Sequence, residues 1–521
     1  MSTPRSNSKA WWLLLPVLAL QSLAALRLLW YKGAYIDEAT YAYAGSQELA
    51  HWIHGVAVSD FQSWMSGAPV VYPPLDAIAT SIGGLTGGRL LSLAFILGAT
   101  VLLYATGSTL FGRSAGLLGA ALFASLGATQ FVSTLATYDA MSLCSLAGAV
   151  YLVVRWGGRL DMPSAIYAGV AAPTLLALAD AAKYAAALWD PFVVGLVVAV
   201  SLIAGRPWRY ALAQGVRFGV VLSCLMAALL AIGKAKYVGA IFGSTVTRSA
   251  ANPGMGQTSA AVLHVGLVYG GVPIATAVAG ALLLAVPGRG APRKPRAPYV
   301  LAGWMFVLAG VAPVLAQIRI GTAVSLDKHV AFGAWFGCAV GGYALARLLR
   351  YRFLQVACGL VLVTALLAYG SLQAQRLDNW PTMNSAFIAG VRTVVRPASE
   401  CKIGSTACQP EYLLVGQVYL LAYYVGPAVN SMQWRETFHF TYQPPGSHIE
   451  DTGPGAIAAA IRDRVFAAIV VEPNGVGEPE TIAAIELYGG YRLRSVLPSP
   501  FLGDGPPAMI WTRDGPVTRS P

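Results

Sequence analysis

Two adjacent acids, Asp37 and Glu38, follow the first long apolar run of the chain after a short loop. An apolar run of about 20 residues can cross a bilayer, so these carboxylates are predicted to lie at a membrane surface. A carboxylate held there can accept a proton from an incoming hydroxyl group. Solvated loop acids, or caps for the helix that follows, are the alternative, and this loop alone does not decide between them.

A third acid, Asp139, lies in a very short turn, Thr137-Tyr138-Asp139-Ala140, between two later apolar runs. It could cap a helix that begins at Ala140, and capping can coexist with catalysis. Asp139 is predicted to emerge on the same membrane face as Asp37. Two acids on one face favour a catalytic or binding role over two unrelated loop residues.

Lys183 is predicted to lie at another turn on that face. An ammonium group there is expensive to keep unless it faces a partner or a water-filled cavity. A phosphate head group is one such partner, and Asp180 or Asp190 is the alternative. Further basic residues fall in loops on the same side: Lys234, Lys236, Arg248, Arg319, Lys328 and His329. Binding an anionic lipid phosphate would account for them, whereas snorkelling or pairing with phospholipids is the alternative for any single one.

The elements that must position these residues are membrane helices. Of the 521 residues, 56% are hydrophobic and only 11% are charged, against about 25% charged in ordinary globular chains. This composition predicts a polytopic α-helical membrane protein. The eleven candidate spans are residues 11–30, 89–110, 114–132, 140–156, 164–182, 185–204, 211–232, 263–286, 299–317, 330–346 and 353–371.

Basic residues in alternate loops predict that the N-terminus is cytoplasmic. The inner loops would then contain Arg113, Arg155, Arg159, Arg206, Arg209, Arg289, Arg293, Lys294, Arg296, Arg347, Arg350 and Arg352. The net charge of +12 is scattered through such loops, which argues against a nucleic-acid partner. The first apolar run exceeds the about 7–15 residues of a signal-peptide core, so it is predicted to stay as a signal anchor in the cytoplasmic membrane.

Two domains are predicted: a transmembrane module, residues 1–371, and an extracytoplasmic α/β domain, residues 372–521. The module has a long first outer loop, residues 31–88, where helix connections are typically about 2–8 residues. In the second domain, residues 412–418 and 465–471 are predicted strands, and residues 456–464 and 480–488 are predicted helices. Cys401 and Cys408 could form a disulfide in an oxidising compartment.

Short motifs along the first 200 residues resemble, in order, those of bacterial GT-C glycosyltransferases. The similar group is the one related to protein O-mannosyltransferases and the lipid A aminoarabinose transferase, a family 39-like group. The motifs that carry the resemblance are Tyr35–Tyr41 (YIDEATY), Tyr72–Leu75 (YPPL), Gly88–Leu90 (GRL), Leu110–Arg113 (LFGR), Thr137–Ala140 (TYDA) and Ala182–Tyr184 (AKY). Leu326–His329 (LDKH) resembles a later loop of the family more loosely.

The resemblance implies a transferase that uses a polyprenyl-phosphate-linked hexose or pentose and inverts the anomeric carbon. It implies Asp37 as general base, supported by Glu38, with Asp139 shaping the acceptor site. It implies that the donor phosphate is bound by Lys183, with help from Arg319, Lys328 or His329. Tyr41, Tyr72, Pro74, Tyr138 and Tyr184, which lie in the matching motifs, are expected to line the substrate cavity.

The sequence does not distinguish a lipid, a polysaccharide or a protein as the acceptor. The pair His51 and His54 is too weak a pattern to define a metal site, so the use of a divalent metal also stays undecided. A secondary transporter and a membrane-anchored envelope assembly protein are the alternatives to an enzyme. Transporters place charges near the bilayer midplane in broken helices or repeats. Here the charges are predicted to gather at one face, which favours the enzyme.

Overall fold

The computed structural model describes residues 12–245, 256–286, 296–348, 352–405, 408–437, 440–447, 449–503 and 505–515. The chain forms two compact units. The helical unit comprises the chain up to Tyr31 together with Gln62–Tyr72 and Arg89–Asn379, and the α/β unit comprises Lys32–Phe61, Pro73–Gly88 and Trp380–Pro521. Several basic residues of the predicted loops lie outside the described residues, namely Arg248, Arg289, Arg293, Lys294 and Arg350.

Helices account for most of the described chain. In chain order they are α1 (Leu15–Leu26), α2 (Ile36–His54), α3 (Tyr72–Phe111), α4 (Arg113–Ser125), α5 (Gly127–Ser133), α6 (Tyr138–Trp156), α7 (Met162–Ile166), α8 (Ala172–Ala182), α9 (Asp190–Ile203), α10 (Trp208–Thr245), α11 (Ser259–Ala285), α12 (Ala297–Ile320), α13 (Leu326–Leu348), α14 (Arg352–Leu377), α15 (Ser385–Arg392), α16 (Val418–Val425), α17 (Gly453–Arg462) and α18 (Glu478–Tyr488). A π-helical turn joins α7 to α8, and a 3-10 turn, Tyr184–Trp189, precedes α9.

The apolar runs of the sequence coincide with these helices. Among the described residues, eight helices or helix combinations are long and apolar enough to cross a membrane, and α4 with α5, which are bent by 71°, would make a ninth. At 12 residues α1 is shorter than the about 20 that a span needs. The predicted class, a multi-pass α-helical membrane protein with a C-terminal α/β region, is confirmed.

Close backbone contacts hold the helices of the helical unit together. A Cβ at Gly119 of α4 would lie 2.5 Å from the Cys338 carbonyl oxygen of α13, and one at Gly342 of α13 would lie 2.1 Å from the Ala115 carbonyl oxygen. Small residues let the two helix backbones approach this closely. Such close packing stabilises the association of helices in lipid, where burial of apolar surface gives no driving force. The buried Trp335 donates its indole N–H to the Ala99 carbonyl at 2.9 Å and links α13 to α3.

The α/β unit is built on a five-stranded mixed sheet of order β2-β1-β5-β7-β6. Its strands are β1 (Glu411–Val415), β2 (Trp434–Glu436), β5 (Phe466–Val471), β6 (Tyr491–Leu497) and β7 (Ala508–Arg513), and a separate hairpin pairs β3 (Thr441–Tyr442) with β4 (Asp451–Thr452). β1 pairs in parallel with β2 and β5, whereas β7 pairs antiparallel with β5 and β6. The two predicted strands appear as β1 and β5, and the two predicted helices as α17 and α18.

Candidate active site

A buried ion pair joins Lys183 to Asp139 in the helical unit. The Lys183 ammonium contacts the Asp139 carboxylate directly, and the two side chains are 5% and 1% exposed. Thr137 donates its hydroxyl to the other carboxylate oxygen at 2.9 Å. The expectation that Asp180 or Asp190 would be the protein partner of Lys183 is therefore corrected. Residues 44 positions apart meet here because two helix ends lie side by side.

Asp139 is in the first turn of α6, which begins at Tyr138 rather than at the predicted Ala140. The N-cap position belongs to Thr137, whose backbone is extended. The Asp139 carboxylate is held by side chains, those of Thr137 and Lys183, and this arrangement differs from a simple cap. The position at a helix N-terminus also favours its negative charge.

The chain leaves its helix at Lys183 and so turns the ammonium toward Asp139. α8 ends at Ala182, and Lys183 has extended backbone angles, φ −148° and ψ 110°. The segment Ser66–Ala68 pairs with this turn, since Ala68 donates to the Ala181 carbonyl at 2.8 Å and Tyr184 donates to the Ser66 carbonyl at 3.0 Å. A Cβ at Gly67 would lie 2.0 Å from the Ala182 carbonyl oxygen, so only glycine fits between them.

Aromatic rings surround the ammonium group. The Tyr138 ring centroid lies 5.2 Å from Lys183 Nζ and the Phe332 centroid lies 5.9 Å away. Both distances are in the range of cation–π attraction, which grows when the cation is removed from water. Tyr138 and Tyr184 are each 6% exposed, and the Tyr184 ring packs against the Tyr237 ring with the centroids 5.1 Å apart.

Two more cationic residues come from the start of α13. Lys328 and His329 are 4% and 9% exposed, and both lie within electrostatic range of Asp139. The His329 ring nitrogen Nδ1 is 3.0 Å from the Gln317 amide nitrogen of α12. Asp327, which is absent from the predicted site, interacts electrostatically with Asp139 and Lys183. The cationic cluster is defined as Lys183, Lys328 and His329.

A cavity of about 560 Å³ adjoins the cationic cluster at His329. Its walls are largely apolar, and its polar residues include Gln317 and the exposed Arg319. The remaining lining residues are Tyr184, Ala185, Ala187, Leu188, Ile241, Ser244, Thr245, Pro313, Ala316 and Ile320. Apolar walls that include the basic residues Arg319 and His329 suit an amphiphile with an anionic head group.

The other two predicted acids lie in the α/β unit, at the start of α2. The Glu38 carboxylate is fully buried and accepts the backbone N–H of Tyr35 at 2.8 Å. This return to the N-cap backbone completes a capping box, so the capping interpretation holds for Glu38. Asp37, in the same first turn, is partly exposed.

The α/β unit holds α2 by hydrogen bonds to chain segments almost 400 residues away. Tyr43 donates its hydroxyl to the Val429 carbonyl at 2.7 Å. Gln47 donates to the Pro427 carbonyl at 3.0 Å and accepts the Ser431 backbone N–H at 2.9 Å. These bonds fix the direction of the helix that carries Asp37.

The segments that flank α2 are held in the same way. Before the helix, the backbone N–H of the buried Ala34 donates to the Tyr424 hydroxyl at 2.7 Å. After the helix, Ala57 donates to the Cys401 carbonyl at 3.0 Å. Cys401 and Cys408 are joined by a disulfide, with their Cα atoms 5.2 Å apart.

The remaining motif residues divide between the units. Tyr41 and Pro74 are buried in the α/β unit, where a Cβ at Gly45 would lie 1.9 Å from the Pro73 carbonyl oxygen. Pro73 of the YPPL motif therefore packs against α2 there. Tyr72 is buried in the helical unit, and its hydroxyl is 3.3 Å from the Ser92 hydroxyl. Within the described residues, no three His, Cys, Asp or Glu side chains are grouped to hold a metal ion.

Solved structures with the same fold are glycosyltransferases of the GT-C class. ArnT from Cupriavidus metallidurans, solved with undecaprenyl phosphate, matches 96% of this chain and 97% of its own, with a TM-score of 0.58 and 13% identity. The oligosaccharyltransferase AglB from Archaeoglobus fulgidus, solved with an inhibitory peptide and a dolichol-phosphate, matches 94% of this chain and 74% of its own, with a TM-score of 0.55 and 13% identity. No family model and no curated protein matches the sequence. The similarity confirms the predicted GT-C fold.

Proposed function

We propose that the protein is a membrane glycosyltransferase that moves a sugar from a polyprenyl-phosphate donor to an acceptor hydroxyl on the outer face of the cytoplasmic membrane. The observation that carries the proposal is a largely apolar cavity whose wall includes Arg319 and His329, the latter a member of the cationic cluster. A polyprenyl phosphate has the matching chemistry, since its chain is apolar and its head group is anionic. ArnT and AglB, which share the fold, were solved with lipid phosphates of this kind.

The reaction proceeds by in-line displacement at the anomeric carbon. Asp37 accepts the proton of the acceptor hydroxyl, whose oxygen then forms the new bond to that carbon. The bond from the carbon to the phosphate oxygen breaks, and the anomeric configuration inverts. Lys183, Lys328, His329 and Arg319 stabilise the negative charge that develops on the departing lipid phosphate.

The acids have separate roles in this proposal. Glu38 fixes the first turn of α2 and thereby orients Asp37, whose partial exposure leaves it accessible to an acceptor. Asp139 holds the Lys183 ammonium in the helical unit and shapes the acceptor side of the site. The donor sugar is a hexose or a pentose, and the acceptor is a lipid, a polysaccharide or a protein.

The test is sugar transfer by the purified protein in lipid nanodiscs. Undecaprenyl phosphates carrying radiolabelled mannose, glucose or arabinose are supplied, with membranes of a deletion strain as acceptor. With the donor that supports transfer, Asp37→Asn is expected to lower the rate about 10²- to 10⁴-fold, the range for loss of a general base. Asp60→Asn, an exposed acid of the same unit, is the matched control and should leave the rate within twofold.

Donor binding is measured separately by native mass spectrometry with undecaprenyl phosphate. Arg319→Gln should weaken binding, whereas Arg113→Gln, an exposed arginine on α4, should not. Full transfer by Asp37→Asn would reject this residue as the base. Absence of transfer from every donor, together with no binding of undecaprenyl phosphate, would reject the function as a whole.

A further inference from the structure

A second cavity lies in the α/β unit, beside the carboxyl end of the parallel strand β5. Glu472 directly follows β5, and its backbone N–H donates to the Val415 carbonyl at the end of β1 at 2.9 Å. Gly416 comes next after β1, and a Cβ at that position would lie 2.2 Å from Glu472 Oε2. The absence of a side chain at Gly416 therefore makes room for the Glu472 carboxyl. In open α/β sheets, this edge is where ligands bind.

The Glu472 carboxyl is buried and only partly satisfied. The residue is 4% exposed, and Oε2 accepts the backbone N–H of Gln417 at 3.2 Å. Oε1 is buried as well, and no described residue forms a hydrogen bond with it. A buried carboxyl oxygen without a hydrogen bond carries a free-energy penalty, which a ligand hydroxyl would relieve. Burial raises the pKa of Glu472 to about 7, so near neutrality the carboxyl is present in donor and acceptor forms.

Glu472 lines a cavity of about 370 Å³. The other polar side chains of the wall are Asn474 and Ser499, and flat apolar groups are supplied by Phe501 and by prolines such as Pro500. The described residues of the wall include no lysine, arginine or histidine. The volume falls in the range of about 300–1,000 Å³ that is usual for small-molecule sites.

The composition of this wall indicates the class of ligand. A phosphate or carboxylate is disfavoured, because a carboxyl group occupies the turn from β1 to α16, where nucleotide-binding sheets place a phosphate. Glu472 also uses the Gln417 N–H that would bind such an anion. Carboxyl, amide and hydroxyl groups beside a flat apolar surface match a molecule with several hydroxyls on one edge and C–H groups on one face. A neutral sugar ring has this character.

We propose that the cavity between residues 472–474, which follow β5, and residues 499–503 is a carbohydrate-binding site, in which Glu472, Asn474 and Ser499 bind sugar hydroxyls while Phe501 packs against the ring. The site is separate from the residues assigned to sugar transfer, and it does not depend on that assignment. It gives the α/β unit a recognition role of its own, the binding of a neutral glycan.

The test is saturation-transfer difference NMR on the full-length protein in nanodiscs. The probes are methyl α-mannopyranoside, methyl α-glucopyranoside, methyl α-arabinofuranoside and, as the anionic comparison, glucose 1-phosphate. At least one neutral glycoside is expected to bind, and glucose 1-phosphate is expected to bind at least tenfold more weakly. Glu472→Leu and Phe501→Ala should each weaken glycoside binding at least tenfold. Glu486→Leu, the same change at an exposed acid of α18, should leave the affinity unchanged.

The outcomes separate this site from the transfer reaction. Asp37→Asn should retain glycoside binding in full, so that loss of transfer and loss of binding are independent results. Glu472→Leu removes a partly unsatisfied buried carboxyl but also the acceptor of the Gln417 N–H, so thermal unfolding of the same sample checks that the fold is retained, and Phe501→Ala tests the site without touching this bond. No binding of any neutral glycoside, equal binding by Glu472→Leu and Phe501→Ala, or stronger binding of glucose 1-phosphate would each overturn the proposal.

Discussion

The starts of α2 and α6 resemble each other, yet they hold their acids by different means. Each helix follows an N-cap residue with an extended backbone, Tyr35 in one case and Thr137 in the other, and each carries acid in its first turn. At α2, Glu38 turns back to the backbone of its own N-cap. At α6, Asp139 instead contacts Lys183, a residue from the end of another helix. One arrangement is local and the other is tertiary.

The difference indicates what each acid is able to do. Because Glu38 satisfies the helix terminus of α2, its neighbour Asp37 is not needed as a cap and stays partly exposed. Asp139 is fully buried, and its charge is matched by an ammonium group. The difference supports the proposed roles, in which Asp37 exchanges a proton with the acceptor and Asp139 positions the Lys183 ammonium.

The largest effect on stability is expected when the ion pair between Asp139 and Lys183 is broken. Asp139→Asn should leave the Lys183 ammonium buried without its anion, and removing one partner of a buried pair costs about 3–5 kcal/mol. We expect a large fall in the thermal unfolding temperature in nanodiscs, measured by intrinsic fluorescence. Asp161→Asn, at an exposed acid of the helical unit, is the control. A stability equal to that of the wild type would show that the ion pair does not organise this region.

A second variant separates folding from function at the same pair. Asp139→Asn combined with Lys183→Met removes both charges, so no buried charge is left without its partner, which is the main cost of the single variant. The double variant should thus recover much of the unfolding temperature. It should nevertheless bind undecaprenyl phosphate more weakly than the wild type, because the cation assigned to the phosphate is missing. Recovery of both properties would contradict the donor role of Lys183.

The local arrangement could be read from the sequence more easily than the tertiary one. A cap is already among the alternatives that the sequence leaves for Asp37 and Glu38, and the apolar runs predict the helices because hydropathy is a local property. The sequence offers Asp180 or Asp190 as the protein alternative to a phosphate partner of Lys183, and the structure pairs Lys183 with Asp139 instead. That pairing depends on the contact between Ser66–Ala68 and the turn after α8, which no local pattern records.

The packing of α2 into the α/β unit also depends on tertiary contacts that no local sequence pattern records. Residues 32–61 were assigned to a loop of the transmembrane module, whereas they lie in one compact unit with the C-terminal residues. The bonds that hold them there end on the carbonyl groups of Pro427 and Val429, and backbone carbonyls leave no signature in a sequence. The sequence gives one weak indication that Glu472 has a functional role, because this acid directly follows a fully apolar strand.

An intermediate effect is expected from the bond that fixes the chain before α2. Tyr424→Phe removes the hydroxyl that accepts the N–H of the buried Ala34, and an unsatisfied buried donor costs about 1–3 kcal/mol. Hydrogen exchange measured by mass spectrometry should become faster at residues 33–40, and sugar transfer should fall with it. Tyr488→Phe, which removes an exposed hydroxyl on α18, is the control. Unchanged exchange at residues 33–40 would show that Asp37 does not depend on this contact.

The smallest effect, and the sharpest distinction between the two helices, comes from Glu38. If Glu38 acts only as a cap, Glu38→Gln should keep transfer within a fewfold of the wild type, because glutamine serves at this position of a capping box as glutamate does. Glu38→Ala should cost about 1 kcal/mol of stability, as loss of a capping side chain does, and should lower transfer by loosening the turn that holds Asp37. If Glu38 exchanged protons, glutamine would be as damaging as alanine, and the two rates would fall together. The ratio of the two transfer rates, measured with the same donor and corrected for folded protein, therefore decides whether α2 contributes one reactive acid or two.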